Sequence, residues 1–241
     1  QVSALKKAQS SITNVTERAA ADSILAMLRN DREFDSFEVA PTRKALGVLL
    51  GQSSGPLPAD LERALAHAVP QANVAVKNYA LTFDVSGKGP AFPARAELTL
   101  EKKAPREVVL EANPERLAID KVLADGRAVP FELKDGRLHV KAPGAKALEI
   151  SYTVKPAEAN GPAKEAYGLI RDKYTGRMWT LTWPYNTGAL FPSNSNPSDG
   201  STSRVTVRVD TGTTVIGTGV EGNGAFVTSA EAPAYAIAVY A

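Results

Sequence analysis

The chain contains no cysteine. Disulfide staples and thiolate metal sites are thereby excluded, while the redox compartment is left open. Histidine is scarce as well: only His67 and His139 occur among 241 residues. Neither stands in an H-E-x-x-H pattern, so a metal-binding helix of that type is absent from this chain. Each histidine reads as a surface or hydrogen-bonded residue. The one serine at G-x-S-x-G spacing, Ser53 in "GQSSG", lies in a turn-rich connector between two predicted helices and not on the strand-to-helix turn of a nucleophile elbow. No apolar run approaches the ~18–20 residues of a membrane span. The opening "QVSALKKAQSS" lacks the apolar segment of a signal peptide, as a mature chain with its leader removed would. Basic runs are missing too. Lys6-Lys7 and Lys102-Lys103 are isolated pairs, and 28 basic against 26 acidic residues leave a formal charge of +2. Nucleic acid is therefore not an expected partner.

What is present is an ordinary globular composition, 44% apolar and 22% charged, with enough chain for a sizeable core. Its hydrophobic period changes part-way along. Residues 1–72 read as a helical extension. Val2, Leu5, Ala8, Ile12, Val15, Ala19, Ile24, Met27 and Leu28 follow a spacing of three and four with small drift, along one helix stripe. "TRKALGVLL", opened by Thr42, and "ADLERALAHAV", ending at Pro70, predict two further short helices. From residue 73 to 241 the period is two. "VAVKNYALTFDV", "ARAELTLE", "REVVLEA", "LAIDKVL", "VPFEL", "RLHVKA" and "KALEISYTV" read as strands, separated by turns such as "ADGR" and "KDGR". "RVTVRVD" alternates Val205, Val207 and Val209 against Arg204, Thr206, Arg208 and Asp210. "TTVIGTGV", "GAFVTS" and "AYAIAVYA" follow. Many short strands at regular spacing predict an antiparallel β-sandwich.

The glycines of "GTGVEGNG" open no helix and read as a strand end and hairpin, not a dinucleotide fingerprint. "NPSDG" offers one carboxylate, Asp199, and reads as a turn instead of a calcium loop. "NVT" at 14–16 matches a glycosylation acceptor inside a predicted helix. The distinctive stretch is 182–200, "TWPYNTGALFPSNSNPSDG", where large apolar side chains are interleaved with turn formers. In the preceding "MWTLTW", Trp179, Leu181 and Trp183 share one strand face, and Met178, Thr180 and Thr182 the other. The tryptophan face is expected to be core, with its far end at Trp183 lining a cleft or partner surface. Pro184 has no N–H and ends the ladder there.

Pro184, the block "FPSNSNP" with Phe191, Pro192 and Pro197, the alternating "RVTVRV" and the closing "APAYAIAVYA" carry a resemblance. Residues from about 73 to 241 resemble the N-terminal β-domain of the gluzincin aminopeptidases, the family of aminopeptidase N and leukotriene hydrolase. The wording is closest to secreted bacterial members, such as cold-active aminopeptidases. The resemblance covers about two thirds of the chain and leaves the helical residues outside it. It implies a non-catalytic domain that borders the substrate cleft and packs on a zinc-bearing catalytic domain beginning after Ala241. Peptide substrates and a periplasmic or secreted location are implied for the parent protein. No cofactor is expected in this chain itself. The implied substrate-side or interdomain contacts are Leu181, Thr182, Trp183, Tyr185, Asn186, Leu190 and Phe191. The family's glutamine and glutamate that hold the substrate's amino end fall on Leu181 and Trp183. Ser193, Ser195 and Asn196 stand where Cys, Asp and Glu are usual. A free-standing binding or inhibitory β-sandwich module, or a structural domain of a pseudoenzyme, are the alternative expectations.

Overall fold

The computed structural model describes residues 72–87, 89–134, 136–159, 167–182, 186–196 and 199–241. The chain divides into two compact units, Gln1–Pro70 and Gln71–Ala241. The helices expected over 1–72, with His67, lie outside the described residues, as do Trp183, Pro184 and Tyr185.

The second unit is built of strands. In chain order they are β1 (Val76–Asp84), β2 (Phe92–Leu100), β3 (Val108–Glu111), β4 (Leu117–Ala124), β5 (Arg127–Ala128), β6 (Phe131–Lys134), β7 (Arg137–Val140), β8 (Ala147–Val154), β9 (Ala157–Glu158), β10 (Gly168–Arg171), β11 (Met178–Leu181), β12 (Ser201–Arg208), β13 (Ile216–Gly217), β14 (Val220–Gly222), β15 (Ala225–Ala232) and β16 (Val239–Tyr240). They form an eight-stranded sheet ordered β14-β15-β12-β1-β2-β8-β4-β5, a five-stranded sheet ordered β13-β16-β11-β10-β9, and a three-stranded sheet ordered β3-β7-β6. No described helix is long and apolar enough to cross a membrane.

Alternation, broken only by irregularities in β1 and β4, places one face of the large sheet inward. Along β2 the residues alternate buried and exposed without a break. Leu81, Ala96, Ile150 and Val122 form one buried row across four strands. The opposite face is polar, with Arg95 bridging Glu97 at 3.2 Å and Glu149 at 2.9 Å. Asp125 and Gly126 both have positive φ, 46° and 79°, and close the β4–β5 hairpin as the Asp-Gly pair predicts. Asn223 and Gly224 do the same between β14 and β15.

The sandwich is not antiparallel throughout. β1 pairs antiparallel with β2 but parallel with β12, and β9 pairs parallel with β10. The Asn78 side chain donates to Thr202 Oγ1 at 2.8 Å across 124 residues of chain. Such a pairing needs a long crossover and leaves no local signature. The inner side of the five-stranded sheet packs on this region. Leu169, Met178, Thr180 and Val239 face Phe83, Val85 and Val207 across a narrow apolar slot. One hydrophobic cluster unites the buried residues of all three sheets.

Candidate functional site

β11 presents the face opposite to the one expected. Met178 is buried and Thr180 half-buried on the inner side, whereas Leu181 is 42% exposed and Trp179 half-buried on the outer side. Both faces of this short strand are apolar enough to be core, so its hydrogen bonds decide. Val239 N–H donates to Thr180 Oγ1 at 2.9 Å, and Thr182 Oγ1 donates to the Tyr235 carbonyl at 2.9 Å. The threonines turn inward because they complete hydrogen bonds of the irregular segment 235–239. An unpaired buried backbone group there would cost about 1–3 kcal/mol. The expectation that Trp179 and Leu181 form core is corrected accordingly.

The outer face carries a continuous apolar row. Ile216 is in register with Tyr240, Tyr240 with Trp179, Trp179 with Ile170, and Ile170 with Ala157. Residues in register across a sheet point to the same side. Ala157 and Ile170 are covered, while Tyr240 is 41% and Ile216 64% exposed.

The described part of the loop after β11, residues 186–196, is internal. Asn186 N–H donates to the Thr182 carbonyl at 2.9 Å. A single 3-10 turn, Thr187–Ala189, follows, and all three of its residues are buried. Leu190 and Phe191 are fully buried, and the Phe191 ring meets Tyr79 edge-on with centroids 5.3 Å apart. Thr182 is buried and Asn186 half-buried. Leu190 and Phe191 are thus not an exposed apolar cluster. They are core residues contributed by a loop, which explains why the loop retains them. Ordering it costs conformational entropy, and burying a Phe and a Leu side chain offsets about 3–6 kcal/mol of that cost.

Polar contacts fix the same loop from the other side. Glu111 and Ser193 exchange backbone hydrogen bonds at 2.9 and 3.0 Å. The Glu111 carboxylate also accepts from Ser195 N at 2.7 Å and Ala72 N at 3.3 Å. Asn194 N–H donates to Tyr79 Oη at 3.0 Å, and Asn194 Nδ2 donates to the Val74 carbonyl and to Asp199 Oδ2. Asp199 N–H donates to the Asn196 carbonyl at 3.0 Å, in the turn expected of "NPSDG". No sequence period signals this network, because its partners lie up to 120 residues apart.

Burial pushes the Tyr79 hydroxyl well above the usual tyrosine range. The Asn194 N–H opposes the rise, and the Glu111 and Asp199 carboxylates add to it. Burial alone raises Tyr152, whose hydroxyl has no partner among the described residues. A raised folded-state pKa means both tyrosines contribute full stability below about pH 10, the unperturbed value, and lose it as pH climbs beyond. Removing the two hydroxyls has opposite consequences. Tyr79→Phe strands the buried Asn194 N–H and is expected to cost about 1–3 kcal/mol. Tyr152→Phe removes an unpartnered hydroxyl and is expected to stabilise by about 1 kcal/mol. Urea unfolding at neutral pH checks the pair, and equal signs would refute the assignment.

No group of three or more His, Cys, Asp or Glu side chains among the described residues could hold a metal ion. His139 Nδ1 lies 3.6 Å from Glu107 at the surface of β3 and β7, without a third ligand. These residues do not fit a zinc ion.

No protein-family model matches the chain, and no curated protein does. Solved structures do. An M1 zinc metallopeptidase from Deinococcus radiodurans superposes with a TM-score of 0.59 at 21% identity, over 72% of this chain and 43% of its own. The fold is that of part of an M1 zinc metallopeptidase. Leukotriene A4 hydrolase from Saccharomyces cerevisiae gives 0.55 at 19% identity, over 71% of this chain and 30% of its own. The chain therefore spans less than half the length of either metallopeptidase-fold relative.

Proposed function

We propose that this chain is the non-catalytic β-domain of a secreted zinc metallo-aminopeptidase relative, acting beside a catalytic domain on peptide substrates. The supporting observation is the M1-type fold over most of the β unit, matched to only a minority of each larger peptidase. The register of Phe191, Pro192 and the β12 strand with the motif blocks quoted above agrees with it. In this reading the zinc and the proton-transfer groups belong to the partner domain. The end of β11 supplies Leu181 to the cleft border, while Thr182 is turned inward by its hydrogen bond to the Tyr235 carbonyl. Leu181 and Trp183 provide no carboxylate, so this segment contributes an apolar wall and not an anchor for a substrate's ammonium group. The proposal is tested by assaying the purified chain for amine release from aminoacyl amides, with and without added zinc. No turnover is expected in either condition.

A further inference from the structure

We infer that the groove between the β4–β5 hairpin and the segment after β7 is a binding site for a small phosphomonoester, with Arg127 and Lys141 taking its phosphate group and Val129, Ala142 and Pro143 its apolar body. The site lies within the β unit and stands independently of the function proposed above.

Three observations carry it. The groove has a volume of about 430 Å³, within the ~300–1,000 Å³ that small-molecule sites occupy. Its walls are fixed by backbone hydrogen bonds. Lys141 N–H donates to the Pro130 carbonyl at 3.1 Å, and Val129 N–H to the Val122 carbonyl at 3.1 Å. Gly144 N–H donates to the Ala104 carbonyl at 2.9 Å, and Ala104 N–H to the Ala145 carbonyl at 2.8 Å. A ligand thus meets a formed site that needs little ordering. Third, the two cations lack a counter-charge. The described ion pairs fall at Arg95, Lys134, His139 and Lys173, so the side chains of Arg127 and Lys141 have no partner among the described residues. The carboxylate of the groove, Asp125, is turned to β8, where it accepts from Lys146 N–H at 3.1 Å and Ala147 N–H at 3.0 Å.

The ligand class follows from charge, shape and size. The Arg127 guanidinium presents a planar fork of donors to two oxygens, and Lys141 adds a compact point charge. Two cations match a phosphomonoester, which carries about −1.5 to −2 at neutral pH, better than the single charge of a carboxylate. Val129, Ala142 and Pro143 offer an apolar surface that inorganic phosphate alone does not use. Polymers and membranes need more cations than this. A nucleic acid or an anionic lipid surface is held by a series of them, each contributing about 1 kcal/mol at a membrane, and the groove has two. A soluble ester of the groove's own size is the occupant that fits.

The experiment titrates the 241-residue chain with phenyl phosphate and follows backbone amides by NMR, with inorganic phosphate and benzoate as comparison probes. Shifts are expected within residues 124–129 and 141–145. Arg127→Gln and Lys141→Gln should each weaken binding about tenfold, the loss of one charge-assisted hydrogen bond. Lys155→Gln is the control. It lies past the opposite end of β8, about 25 Å along the strand at ~3.3 Å per residue, and should leave binding unchanged. All three residues are exposed, and an unchanged melt verifies folding. Benzoate should bind about tenfold more weakly than phenyl phosphate, through its smaller charge, and inorganic phosphate more weakly too, through its missing apolar body. Benzoate or inorganic phosphate binding as tightly as phenyl phosphate overturns the phosphomonoester assignment. Shifts scattered over the surface lysines, or binding indifferent to Arg127→Gln and Lys141→Gln, overturn the site itself.

Discussion

Gly168→Ala is expected to destabilise the β unit by about 3 kcal/mol or more, the sum of a left-handed backbone and a steric overlap. Gly168 opens β10 at φ +84°, and a Cβ there would lie 2.4 Å from the Ala189 carbonyl oxygen and 2.8 Å from its carbon. Both obstacles are backbone atoms of the buried turn 187–189, and that turn is held by Leu190 and Phe191 beneath it. Neither side can move without dislodging the other. Gly126→Ala is the matched control. Its φ is +79°, yet nothing lies within 4 Å of its Cβ position. It should cost only the backbone part, about 1–2 kcal/mol. For a unit of this size, 1 kcal/mol shifts the melting temperature by about 2–4 °C. Calorimetry on the two variants separates them, and equal losses would show that β10 and the turn are not in contact.

Phe191→Ala should be nearly as damaging, at about 3–5 kcal/mol. The ring is wholly buried, and its edge-on contact with Tyr79 contributes beyond its area. Tyr79 in turn holds Asn194, so the loss spreads from packing into the Glu111 and Asn194 network. Leu181→Ala, at the end of β11, should change stability by no more than about 0.5 kcal/mol, because its side chain faces outward. Denaturant titration of the two variants distinguishes a core loop from a surface loop. A Phe191→Ala cost as small as that of Leu181→Ala would return the loop to the surface.

These two substitutions also show where sequence pattern stops being informative. β2 and β8 were legible because each alternates for eight or nine residues and buries one face, and β1 does so from Asn78 onward. Asp125-Gly126 and Asn223-Gly224 were legible because a two-residue hairpin demands positive φ, which glycine and asparagine tolerate. β11 has only four residues, apolar on both sides, so period two fits either orientation. Its face is set by Val239 and Tyr235, 59 and 53 residues away. The parallel β1–β12 pair and the burial of Leu190 and Phe191 are likewise products of distant chain. Apolar residues beside proline and asparagine look exposed in a linear reading, whereas here other strands close over them.

The outcome matters for function. Leu181, expected to be core, is exposed, and Leu190 and Phe191, expected at the surface, are core. Trp183 and Tyr185, on which the cleft reading also leaned, lie outside the described residues. The proposal of a partner domain thus rests on the size of the solved relatives.

Zinc content measured alongside amide release tests most directly the proposal that this chain is a non-catalytic part of a metallopeptidase. Purified protein, equilibrated with zinc and then freed of excess, should retain no stoichiometric metal and show no release above the uncatalysed background. One tightly held zinc per chain, with turnover that a chelator abolishes, would contradict it.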